Sequence, residues 1–183
     1  MHATRGNGGS GDLPEWYGPP EMIGGYVTGP VLIAQSDRYV LAVRQVLAYP
    51  TGVEVEIEAH AHGPSLAETP FDPTDFSGHR QLLFRLRLAD GSQVALDDEA
   101  GLRSGNGPTL MVCKSESSSG GPDNSEHVRQ ALWMSPLPPP PGLLTLTCSW
   151  PNRGLEDADL VLDADAILTA AHHAQPFWRE EAS

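Results

Sequence analysis

His60, His62 and His79 are the residues whose type and spacing come nearest to a metal site. His60 and His62 close the run VEVEIEAHAH, in which apolar residues alternate with glutamates. Strict alternation is the period of a β-strand, so both imidazoles leave the same face. His79 opens the next strand-like run, RQLLFRLRL. Three imidazoles with Glu58 or Asp75 would supply the nitrogen and carboxylate donors that a divalent ion takes. The plainer reading is a row of exposed histidines along a polar strand. No second motif of fixed spacing accompanies them.

Other chemistry is harder to place. Acids recur at alternate positions in Glu156-Asp157-Ala158-Asp159 and Asp163-Ala164-Asp165. Calcium loops use such spacing, but no stretch matches an EF-hand, and solvated loops with a helix N-cap explain the acids equally. There is no G-x-S-x-G, no H-E-x-x-H and no glycine-rich phosphate loop opening a helix. A catalytic role for Cys113 beside a histidine has no specific support. Trp16, Tyr17, Trp133 and Trp178 could form a sugar platform, or could staple terminal segments onto a core. No catalytic residue and no cofactor follow from the motifs, and a non-enzymatic role is the expectation.

The totals bound the partners. The chain has 183 residues and a formal net charge of −13, with Lys114 as its sole lysine. That charge repels nucleic-acid phosphates and anionic lipid surfaces, and no basic cluster offsets it. No run approaches the ~18 apolar residues of a membrane span, and the N-terminus carries no secretory pattern. A cytoplasmic protein with reduced Cys113 and Cys148 is expected. Seventeen prolines and nineteen glycines suit an all-β domain rather than a helical bundle.

Residues 1–12 are glycine-rich and polar, and read as a disordered tail. Residues 13–30, LPEWYGPPEMIGGYVTGP, set Trp16, Tyr17 and Tyr26 among prolines and glycines. This aromatic arm should lie on the body or on a second subunit. Strands are expected from Val31: VLIAQ, then YVLAVRQVLAY, whose two apolar faces imply double coverage or a bulge. In the next run Val53, Val55, Ile57, Ala59 and Ala61 should face in. RQLLFRLRLADGSQVAL reads as a hairpin turning at Asp90-Gly91. Were its first strand beside Val53–Ala61, Arg85 and Arg87 would oppose the glutamates. TLMVC is a further strand, and the serine-rich 114–125 is the most disorder-like internal stretch. EHVRQALWMSP fits a strand better than a helix. In Leu143–Trp150, Leu144, Leu146, Cys148 and Trp150 share a face. The four prolines 138–141 between these two runs form a stiff corner, not an SH3-type ligand, since no arginine stands beside them. Leu160–Leu162 is one more strand. A helix near 164–175 follows, capped by Asp163 or Asp165 and stopped by Pro176, with His172 and His173 at its negative end. Phe177 and Trp178 should fold back onto the body.

Three blocks, YVLAVRQVLAYPTGVEVEIEAHA, FRLRLADGSQVAL and WMSPLPPPPGLLTLTCSWPNRGL, resemble in that order a group of uncharacterised actinobacterial β-sandwich proteins. The resemblance spans roughly residues 31–178. It implies a cytoplasmic actinobacterial source and carries no site residues.

The expected fold is an all-β, antiparallel β-sandwich of about eight strands over residues 31–178, with one C-terminal helix. The expected role is a protein-interaction or structural module, self-associating through the arm that carries Trp16, Tyr17 and Tyr26 or through an apolar sheet face. The alternative is a metal- or carbohydrate-binding protein, or a metal-dependent hydrolase, on the face of His60, His62 and His79.

Overall fold

The computed structural model describes residues 18–63, 82–96, 107–120 and 125–178. The tail 1–12, with Trp16, Tyr17, Asp75 and His79, lies outside them.

Twelve strands occur among the described residues: β1 (Met22–Ile23), β2 (Gly25–Thr28), β3 (Val31–Gln35), β4 (Tyr39–Tyr49), β5 (Gly52–Ala61), β6 (Leu83–Arg87), β7 (Gln93–Ala95), β8 (Thr109–Gly120), β9 (Ser125–Ser135), β10 (Leu143–Trp150), β11 (Leu155–Asp163) and β12 (Gln175–Pro176). One α-helix occurs among the described residues, α1 (Ala164–Ala171). Two antiparallel sheets form the sandwich. The larger has the order β2-β4-β5-β9-β8, with β3 also on β4, and the smaller β11-β10-β6-β7. β1 and β12 make a separate two-stranded ribbon. The excess over eight strands comes from these short segments, whose prolines and glycines mask their pairing.

The core lies between the sheets. Leu41, Val43, Val55, Ile57, Ala59 and Leu132 of the larger sheet meet Phe84, Leu86, Leu146, Cys148 and Leu160 of the smaller, all buried. Burial of such side chains contributes about 1.5–3 kcal/mol each. The double apolar pattern of β4 is resolved by a bulge between Val43 and Gln45. Leu41 and Val43 point inward before it, Val46 and Ala48 after it, because the extra residue resets the alternation.

Local signals act where expected. Asp90 Oδ1 accepts from the Ser92 backbone N–H at 2.8 Å and Gly91 takes φ 84°, so the β6–β7 turn closes on a left-handed glycine. Asp163 caps α1 by accepting from the Asp165 N–H at 2.9 Å. The helix packs on β2 and β4 so closely that a Cβ at Gly25 would stand 1.7 Å from the Ala170 carbonyl oxygen. The prolines 138–141 do join β9 to β10.

Three expectations are corrected. Arg85 and Arg87 do not face the β5 glutamates, because β6 pairs with β7 and β10 in the other sheet. Arg85 instead holds Asp157 with two 2.9 Å bonds. Residues Lys114–Gly120 continue β8, since backbone pairing to β9 overrides a serine-rich composition. Phe177 and Trp178 do not fold back: they are 54% and 76% exposed, although the Phe177 N–H bonds the Glu21 carbonyl.

Candidate metal site

The register of four strands sets out the outer face of the larger sheet in rows. One row is Val40, His60, His127 and Ser118; the next is Ala42, Glu58, Arg129 and Glu116. Directly opposed side chains in an antiparallel pair have Cβ atoms about 4.5–5.5 Å apart. Pairing alone therefore brings His60 of β5 and His127 of β9 together, with Glu58 one step along on the same face.

The side chains converge. Glu58 Oε1 lies 2.9 Å from His60 Nε2 and 3.1 Å from His127 Nε2. The two imidazoles stack with centroids 4.4 Å apart and planes 13° from parallel. The three ligand atoms all fall within 4.8 Å of one another. Adjacent ligands of a tetrahedral zinc stand roughly 3.3 Å apart, by the geometry of ~2.0–2.1 Å bonds. The trio is within a few tenths of an ångström of that spacing on its two carboxylate edges.

Two arginines stand behind the carboxylate. Arg44, brought to this face at the β4 bulge, has Nη1 3.4 Å from Glu58 Oε2, and Arg129 Nη2 lies 3.9 Å from Oε1. Both also approach Glu56 Oε1, at 3.9 and 3.7 Å. Desolvation pushes the Glu58 carboxyl up, but the His60 hydrogen bond and the charges of Arg44 and Arg129 outweigh it and hold the group below the usual carboxylate range. Glu58 is therefore ionised, as a ligand must be.

His60 and His127 also line a cleft of about 460 Å³, with His62, Ser118, Ser119, Ser125 and Glu126. His62 thus stands near His60, as the sequence spacing suggested, but it is not one of the three converging groups. Arg153 fastens the cleft floor. It donates to Glu126 Oε2 from Nε at 3.1 Å and from Nη2 at 2.5 Å, and to the Gly63 carbonyl from Nη1 at 2.7 Å. Those partners are the chain neighbours of His127 and His62.

The same face changes character toward the other end of β5. Glu54, paired with Trp133, is 8% exposed, and Trp133 is fully buried with Tyr49 edge-on at 5.6 Å. Burial raises the Glu54 carboxyl, with Lys114 opposing and Glu56 adding to the shift.

Sequence reading misses His127, because the strand that its segment pairs with is set by the β5–β9 register. One signal was present. His127 and Arg129 repeat at a spacing of two the pattern that Glu58 and His60 make on β5, which suits opposed strands.

No protein-family model matches the chain, and no curated protein matches it. Among the described residues no helix is long and apolar enough to cross a membrane.

Proposed function

We propose that the protein binds a divalent transition-metal ion of the zinc class through Glu58, His60 and His127. One observation carries this reading: a single carboxylate oxygen lies 2.9 and 3.1 Å from imidazole nitrogens on two different strands. Imidazole with carboxylate suits zinc, cobalt, nickel and iron rather than calcium or magnesium. The three ligands found among the described residues leave a coordination position for a further ligand, as in sites that bind or activate a further molecule. Arg44 and Arg129 weaken attraction for a dication, and Glu56 offsets part of that. His79 lies outside the described residues.

Isothermal calorimetry of untagged protein with Zn²⁺ tests it. One ion per chain is expected, with binding lost in His127→Ala and Glu58→Gln and retained in His62→Ala. Absence of heat, or equal uptake by all the variants, contradicts the assignment.

Self-association is supported by a different observation. Ile23, Tyr26, Phe177 and Trp178 are each more than half exposed, on or near the β1–β12 ribbon and β2. Isolated apolar side chains are ordinary on a surface, but several large ones on adjoining segments favour a protein partner. Sedimentation of the wild type and of Tyr26→Ser with Trp178→Ser distinguishes the cases; a monomer at every concentration tested removes this reading. The net charge supports partners other than nucleic acid or anionic membranes. Composition and the three resembling blocks support a cytoplasmic, actinobacterial protein.

A further inference from the structure

From the charges around the trio and the cleft in front of it, we infer that the metal site takes a small oxyanion, a carboxylate or phosphate, as its co-ligand. This rests on the metal reading above. The cleft is bounded by His60 and His127 but not by Glu58. The two imidazoles thus place an ion held by the three beside the cleft, where among the described residues no fourth donor converges on it. The charge at that point can be summed from named groups. Glu56 and Glu58 contribute two negative charges and Arg44 and Arg129 two positive ones, all linked by the contacts above. Glu116, opposite Arg129 in the register, adds a third negative charge, so a dication leaves a local excess of one positive charge. A neutral co-ligand, such as a sugar hydroxyl or water, leaves that excess uncompensated. An anionic oxygen removes it. Ser118, in the same row as His127, adds a hydroxyl able to donate to the bound anion. About 460 Å³ is room for an inorganic phosphate or a small dicarboxylate and is at the small end of ligand pockets.

The consequence is strict coupling: the anion binds because the metal is there. By linkage, the anion then tightens the metal by the same factor.

The test uses Co²⁺, whose visible spectrum reports coordination. Full-length untagged protein is titrated with Co²⁺ alone, then with inorganic phosphate or malonate, and each anion is also titrated calorimetrically without metal. The expected result is a cobalt spectrum that changes on anion addition, and anion binding at least tenfold tighter with metal than without. Phosphate acting alone assigns the phosphate class; malonate acting alone assigns the carboxylate class. In Arg129→Gln saturated with Co²⁺, the anion should bind about tenfold more weakly. A bound cobalt whose spectrum ignores both anions overturns the inference and leaves the metal reading standing. Anion binding that is equal with and without metal also overturns it. Failure of Co²⁺ to bind removes both.

Discussion

Replacing Arg153 with Met should destabilise the fold and loosen the cleft at once. The Arg153 side chain is 10% exposed and makes three hydrogen bonds, two to Glu126 and one to the Gly63 carbonyl. Its guanidinium also lies 5.9 Å above the Trp150 ring, a contact that Met can partly keep through its own chain. Breaking a buried pair from one side costs about 3–5 kcal/mol, mainly because the remaining charge is stranded. The Glu126 side chain is 25% exposed, so water recovers part of that cost. A loss of about 2–4 kcal/mol follows. For a domain of this size that is a fall in Tm of roughly 5–15 °C. Urea unfolding at neutral pH with fluorescence detection measures it, and the slope with denaturant should not change. A cycle with Glu126→Gln should show coupling of at least about 1 kcal/mol, since the two side chains touch. A loss below about 0.5 kcal/mol, or additive single effects, would refute the reasoning.

Gly25→Ala should cost about 2–4 kcal/mol, because the helix must withdraw from a Cβ placed 1.7 Å from the Ala170 oxygen and Ile167 loses its packing. Gly18→Ala, with nothing within 4 Å, is the control and should unfold like the wild type. Glu54→Gln should be more stable than the wild type at pH 7. Glu54 has a folded pKa above its ordinary value of 4.5, so the folded state holds its proton longer. Wild-type stability from this group is therefore lost as pH rises from about 4.5 through the folded value, and the advantage of Gln should vanish below pH 4.5. Thermal melts from acid to neutral pH test this, and an advantage for the wild type at pH 7 contradicts it.

The strands that alternate cleanly were legible because one face of each is covered and the other is wet. In β5 the inward Val53, Val55 and Ile57 and the outward Glu56 and Glu58 follow the period of two directly. β4 is apolar on both faces, which fits either double coverage or a bulge, and only the pairing shows the bulge between Val43 and Gln45. What sequence could not supply was which strands adjoin. Arg85 and Glu56 carry opposite charges at matching spacing, yet they belong to different sheets, and the true partners of Glu56, Arg44 and Arg129, come from strands on either side. Serine-rich Lys114–Gly120 shows the same limit, since its strand conformation derives from β9 rather than from its own residues. The candidate site depends wholly on such pairing. His60 and Glu58 were visible as strand neighbours, whereas His127 joins them only through the β5–β9 register.

The most direct measurement is an anomalous-difference map from crystals of the untagged protein soaked in Zn²⁺. The account predicts one strong peak about 2.0–2.2 Å from His60 Nε2, His127 Nε2 and a Glu58 oxygen. A map with no peak there, or with zinc only at His172 and His173, would contradict it.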